Sequence, residues 1–130
     1  LKSIKKISTK EFPGYPTDLQ AQLIATQLKS GLKSKVVENI FENRFIHIPE
    51  LRRFGANLSI KGKTVTIDKT SDLLGAEVMA TDIRASFSLI IAAMMSKGKT
   101  VINRIYHLDR GYEDFDLKLK KCGVNISRKK

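Results

Sequence analysis

The chain has 130 residues, 42% hydrophobic and 28% charged, enough for one domain with a core of its own. Its net charge of +11, from 24 Lys and Arg against 13 Asp and Glu, favours anionic partners: nucleic acid, acidic lipid or phosphorylated small molecules. A single cysteine, Cys122, excludes an internal disulfide framework and fits a reducing, cytoplasmic compartment, and the most apolar run, Phe87 to Met95, is far below the roughly 20 residues of a membrane span.

In chain order, Leu1 to Lys10 alternate weakly, with Ile4 and Ile7 set against lysines, and predict a strand with one wet face. The chain opens without Met inside that strand pattern, as expected of a piece of a longer protein. Phe12 to Pro16 reads as a turn. A helix is expected from Thr17, with Leu19, Leu23, Ile24 and Leu28 on its buried face and Gly31 as its C′ stop. Lys35 to Phe41 reads as a strand through Val36, Val37 and Ile40. A short helix over about Arg44 to Phe54 turns Ile48, Leu51 and Phe54 inward, tolerates Pro49 only in its first turn, and ends at Gly55. Leu58 to Ile60 and Thr64 to Ile67, joined by Lys61-Gly62-Lys63, predict a hairpin.

A second round follows. Gly75 to Ala80 is a short strand, and Thr81 to about Lys97 is a helix apolar nearly all round, which must be covered on several sides. Gly98 closes it. Lys99 to Ile105 reads as a strand, and Arg110 to Lys121 as a helix with Phe115, Leu119 and Cys122 on one face. Gly123 stops that helix, and Val124 to Arg128 returns as a strand. Laid over each other, the rounds pair Asp18 with Asp82, Gly31 with Gly98, Arg44 with Arg110, Gly55 with Gly123 and Asn57 with Asn125, at offsets of 64, 67, 66, 68 and 68. Such spacing argues a duplicated α/β unit, with repeats over about 11–68 and 75–130, rather than a shorter-period solenoid.

Two Thr-Asp pairs, Thr17-Asp18 and Thr81-Asp82, open the main helices, where backbone N–H groups are unpaired and the dipole is positive. Either Asp could simply cap or compensate its helix. With Thr17 as N-cap, however, Asp18 would be left free to take a proton from an attacking alcohol. Arg84 does not share a helical face with Asp82, so that pair is not expected. Arg44 and Arg110 follow matching strands and suit a bidentate grip on carboxylate or phosphate; the plain alternative is a surface ion pair with Glu42 or Asp109. Gly111 lets the backbone beside Arg110 approach a ligand closely. His47 and His107 lack partners at metal-ligand spacing, so no metal is expected. Cys122 reads as a packing residue. Lys97-Gly98-Lys99-Thr100 lacks the upstream glycine of a phosphate-cradling loop.

Four stretches carry a resemblance. They are Pro13-Gly14-Tyr15-Pro16-Thr17-Asp18-Leu19-Gln20-Ala21-Gln22, Phe41-Glu42-Asn43-Arg44-Phe45, Gly75 through Ser86, and Asp109-Arg110-Gly111-Tyr112-Glu113. In this order they closely resemble the C-terminal third or so of the UDP-N-acetylglucosamine 1-carboxyvinyltransferase family. The resemblance implies an α/β (α+β) fold of repeated βαβαββ units arranged as an inside-out α/β barrel, of which this chain would hold two of the three units of one domain. It implies transfer of the enolpyruvyl group of phosphoenolpyruvate to the 3′-hydroxyl of UDP-N-acetylglucosamine, by addition and then elimination of phosphate, with no cofactor or metal. The setting would be cytoplasmic peptidoglycan synthesis.

By the same resemblance, Asp18 binds the sugar and receives its hydroxyl proton, and Asp82 is implicated in proton movement at C3 of phosphoenolpyruvate. Arg110 grips phosphoenolpyruvate, Ile40 contacts uridine through its backbone, and Arg44 and Arg84 support. The family's N-terminal domain, with its Lys-Asn pair, another phosphate-binding arginine and the loop carrying the proton-donating Cys, has no counterpart here; Cys122 does not match that Cys. The isolated chain is therefore expected to be inactive, and its open strand edges to favour self-association. The sister shikimate-pathway transferase is the nearest rival. A basic nucleic-acid-binding domain of related fold is another, but the aromatics fall on buried stripes or inside the motifs, so no nucleic acid is expected.

Overall fold

Short β-branched runs form the strands, and a computed structural model describes residues 2–129 of the chain. Leu1, in the first expected strand, and Lys130, in the basic fringe, lie outside the described residues. Strands β1 (Lys6–Ser8) and β2 (Ser34–Val37) are parallel, with Ile7 opposite Val36. A parallel pair needs a crossover, supplied here by a 3₁₀ turn at Thr17–Leu19 and helix α1 (Gln20–Gln27). After α2 (Ile48–Arg52), strands β3 (Leu58–Lys61) and β4 (Thr64–Ile67) make the expected hairpin, and β4 lies antiparallel to β2, giving the order β1-β2-β4-β3. A second parallel pair, β5 (Glu77–Met79) and β6 (Val101–Asn103), is joined through α3 (Ile83–Met95). Two short helices, α4 (Tyr106–Asp109) and α5 (Phe115–Lys121), follow.

Burial explains why α3 is apolar on so many sides. Leu89 and Ala92 join the main core with Ile24 and Leu28 of α1, Ile48 and Leu51 of α2, Phe54, and Val36, Val65 and Ile67 of the sheet. Ile90 faces the other way, into a smaller cluster with Leu108 and Phe115, where Phe87 also stacks on Tyr112 with ring centroids 4.5 Å apart. Helices α1 and α3 pack along each other, and their N-terminal ends meet. Two glycines permit close approaches. A Cβ on Gly75 would collide with the Lys99 carbonyl, and one on Gly111 with the Ile83 side chain.

Several expectations are corrected. Leu19 is half-exposed because the α-helix proper starts one residue later, and Gln20, Ala21, Ile24, Ala25 and Leu28 take the inner face. The helix has already capped at Leu28, so Gly31, φ +78, belongs to the following turn. The first strand and β2 are shorter than their apolar patterns, and Ile40 lies beyond β2. The helix expected over Arg44 to Phe54 begins only at Ile48, with Pro49 in its first turn and Ile48, Leu51 and Phe54 inward as expected. The helix expected over Arg110 to Lys121 is split, with Asp114 left-handed at φ +48 just before α5. Residues 124–128 form no strand, because no described strand lies beside them to complete a ladder; Arg128 instead holds Asp109 and Asp116. Cys122 is exposed rather than packed.

The two sides of α3 predict unequal substitution costs. Leu89→Ala should lower unfolding free energy by about 2–5 kcal/mol, and Met94→Ala, at a half-exposed position, by less than about 1 kcal/mol. Urea denaturation of both variants measures the contrast.

Candidate active site

A buried carboxylate organises the site. Glu38 leaves β2 only 3% exposed, and an ionised group so placed must be fully hydrogen-bonded. It accepts from Thr9 Oγ1 at 2.7 Å, Thr17 Oγ1 at 2.6 Å and Gln20 Nε2 at 3.1 Å, and from the N–H groups of Ile40 at 3.0 Å and Phe41 at 3.4 Å. Burial pushes its carboxyl up, but the bonds from Thr17, Thr9, Ile40 and Phe41 outweigh that and hold it below the ordinary carboxylate value. Thr17 is thus spent on Glu38 and does not cap its helix; Pro16 occupies the N-cap with no side-chain bond.

Asp18 caps no backbone N–H, by a different route from the expected one, and is taken up by two arginines instead. Its side chain is 70% exposed, with Arg84 Nη1 at 3.0 Å and Arg44 Nη1 at 3.7 Å from one carboxylate oxygen. Arg44 follows Asn43, whose left-handed φ of +54 turns the loop, and its guanidinium lies 4.2 Å over the Phe41 ring. It does not pair with Glu42. An exposed ion pair contributes about 0–1 kcal/mol to stability, so a carboxylate gathered with two arginines from distant segments is not explained by stability alone. The arrangement can accept a proton from a hydroxyl and grip an anion at once.

Asp82 behaves otherwise. It is the N-cap of α3, with one oxygen 2.9 Å from the N–H groups of both Arg84 and Ala85. The capping alternative therefore holds for Asp82, and Thr81 is not the cap. Asp82, Arg84 and Arg44 line a recess of about 140 Å³ between the starts of α1 and α3 and the loop before α2, together with Thr17, Gln20 and His47. Ile40 lines a larger neighbouring groove of about 730 Å³ with Phe41 and Arg44. Arg110 lines neither; it is exposed at the end of α4, where its backbone N–H bonds to the Leu108 carbonyl while its side chain has no hydrogen bond or ion pair among the described residues, and Asp109 is taken by Arg128. Gly111, beside it, nevertheless abuts Ile83 at the start of α3.

Glu38, Gln20 and His47 were not singled out for this site from sequence. Gln20 occupies the buried stripe with Ile24 and Leu28, at i, i+4 and i+8, and His47 that with Leu51 and Phe54, at i, i+4 and i+7. A polar residue on an apolar stripe was the available signal. Glu38 offered none, since Thr9 and Thr17 reach it only through the fold. Among the described residues no three of His, Cys, Asp and Glu gather to hold a metal ion, and no helix is long and apolar enough to cross a membrane.

The fold and the acid-arginine cleft define the class: a mixed α/β unit of enolpyruvyl transferase architecture. The enolpyruvyl transferase NikO from Streptomyces tendae superposes with a TM-score of 0.84 at 27% identity, over 97% of this chain and 30% of that one. Residues 2–119 match the family model described as EPSP synthase (3-phosphoshikimate 1-carboxyvinyltransferase), and the chain belongs to that family. Among curated relatives, a UDP-N-acetylglucosamine 1-carboxyvinyltransferase of Rhodopseudomonas palustris (strain TIE-1) is 57% identical over 94% of this chain and 28% of its own length. A protein of the same name from Pelagibacter ubique (strain HTCC1062) is 55% identical over 98% of this chain and 31% of its own length. The chain thus spans less than a third of these relatives.

Two acidic transitions follow from the site. Burial pushes the His47 ring down to about 4, against the opposing pull of Asp82, so between pH 6.5 and 4 the unfolded chain binds a proton the folded one refuses. Stability should fall on the order of 3 kcal/mol as pH drops through that window, and His47→Leu should flatten it. Glu38, depressed in the fold, adds a separate loss below about pH 4.3 that Glu38→Ala removes, at a cost on the order of 3 kcal/mol at neutral pH. Urea titrations across pH test both.

Proposed function

We propose that this chain is the C-terminal portion of an enzyme that transfers the enolpyruvyl group of phosphoenolpyruvate to the 3′-hydroxyl of UDP-N-acetylglucosamine, the first committed step of peptidoglycan synthesis in the bacterial cytoplasm. The observation that carries it is the exposed Asp18 carboxylate held beside Arg44 and Arg84, two arginines that themselves line a recess with Asp82. Relatives named for this reaction at 55–57% identity support the choice of acceptor over shikimate 3-phosphate. Two duplicated units of the βαβαββ type, over about 11–68 and 75–130, are the proposed scaffold, completed by the rest of one domain and by an N-terminal domain.

In this reading the sugar oxygen bonds to C2 of phosphoenolpyruvate while its proton passes to Asp18, and C3 takes a proton from the acid carried on the loop of the N-terminal domain. Loss of a C3 proton and cleavage of the C2–O bond to phosphate then restore the double bond. Asp82, fixed as a cap, serves proton movement at C3. Arg110, exposed and uncommitted, grips phosphoenolpyruvate, and Arg84 and Arg44 hold Asp18 and balance charge on the anionic reactants. The Ile40 backbone contacts uridine in the larger groove. No cofactor or metal takes part.

In the full-length enzyme, Asp18→Asn should lower kcat by roughly 10²–10⁴-fold, and Arg110→Ala should raise the KM for phosphoenolpyruvate. The 130-residue chain alone should release no phosphate above background. Turnover with shikimate 3-phosphate in place of the sugar nucleotide, or full activity of Asp18→Asn, would overturn the reading.

A further inference from the structure

Arg110 is presented by the turn that runs from the end of α4 at Asp109 to the start of α5 at Phe115. The turn is seated on α3 from below. Leu108 is fully buried, and its carbonyl accepts from the N–H groups of Gly111 at 3.1 Å and Tyr112 at 2.9 Å. Tyr112 stacks on Phe87, and Gly111 leaves no room for a Cβ against Ile83. The flanking helices, however, have only four and seven residues, too few to hold their own shape in water. Something else must fix the two ends of the turn relative to each other.

Arg128 does so. Its Nη1 lies 3.0 Å from Asp109 Oδ2 and its Nη2 2.6 Å from Asp109 Oδ1, a grip on both oxygens of the last residue of α4. The same Nη2 is 3.0 Å from Asp116 Oδ1 in the first turn of α5. A two-oxygen grip sets direction as well as distance. The guanidinium carbon also sits 5.1 Å from the centre of the buried Phe115 ring, and Ile126, two residues earlier, packs with Leu108 and Phe115. The hydrogen bond from Arg128 is the largest cause holding the carboxyls of Asp109 and Asp116 below the ordinary value, so both are ionised at neutral pH. A lone exposed ion pair does little, but one arginine on two carboxylates over a ring is a network of fixed geometry. It also removes Asp109 as a partner for Arg110.

We propose that Arg128 is a positioning residue for phosphoenolpyruvate: by tying the end of α4 to the start of α5, it closes the turn at both ends and sets the direction in which Arg110 projects. The proposal rests on the assignment of phosphoenolpyruvate to Arg110 made above. In this role Arg128 meets no substrate and acts through Asp109, the chain neighbour of Arg110. Residues 124–128, which form no strand, thereby gain a function that a ladder would not give them.

The test uses the full-length enzyme. Arg128→Met keeps an apolar stem over the Phe115 ring and removes both ion pairs. It should raise the KM for phosphoenolpyruvate by roughly 5–20-fold and leave that for UDP-N-acetylglucosamine unchanged. Asp109→Ala, which cuts the tie from the α4 side, should raise the same KM. Arg128→Lys keeps the charge without the two-oxygen grip and should recover part of the loss. Because Arg128 acts through Arg110, adding Arg128→Met to Arg110→Ala should raise that KM no further. A merely structural Arg128 would raise both KM values together, and its penalty would multiply with that of Arg110→Ala; either result overturns the proposal. An unchanged KM for phosphoenolpyruvate in Arg128→Met, beside a raised one in Arg110→Ala, removes the positioning role and leaves the Arg110 assignment standing. An unchanged value in Arg110→Ala sinks that assignment and the positioning role with it.

Discussion

The carboxylate of Glu38 is the interaction on which the rest of the site depends. A buried charge with no compensation costs several kcal/mol, so the chain is arranged to bring it five donors from the end of β1, the turn before α1, α1 itself and the loop leaving β2. Each bond also locates something. The one to Thr17 holds the turn that displays Asp18, the one to Gln20 orients an amide, and those to Ile40 and Phe41 bend the chain towards Arg44. A strand end thereby becomes a rigid support for side chains that touch solvent.

Packing of α1 against α3 does the complementary work. Their shared core of Ile24, Leu28, Leu89 and Ala92 brings two helix starts together, so that Arg84 of one round meets Asp18 of the other. The two aspartates, alike in sequence, then diverge. Asp82 satisfies orphan N–H groups and becomes part of the scaffold, whereas Asp18, with Pro16 at the cap and Thr17 committed to Glu38, stays exposed beside two arginines. The asymmetry follows from which neighbouring oxygen is free, not from the Thr-Asp motif itself.

Much of the fold was legible because it follows local periodicity. The hairpin around Gly62, the inward stripe Ile48-Leu51-Phe54 and the all-round apolar α3 were each readable from spacing. Legibility failed where an element depends on a neighbour. Residues 124–128 have a strand's composition but no described partner, and Cys122 has an apolar stripe's spacing but nothing described to cover it. The caps before α1 and α3, Pro16 and Asp82 rather than Thr17 and Thr81, differ from the local pattern for a related reason: capping is a competition between nearby oxygens, and tertiary contacts decide it.

The amino-acid order by itself determined most of the element types, the family and the membership of Asp18, Asp82, Arg44, Arg84 and Arg110 in motifs, since these depend on residue identity and short spacing. Only the tertiary structure decided that Asp18 faces Arg84 across 66 positions, that Glu38 is the common acceptor, and that Arg128 joins Asp109 to Asp116. Hydrogen bonds and ion pairs act over about 3–4 Å in space, whatever the separation along the chain, so such pairings come into being only when the core closes.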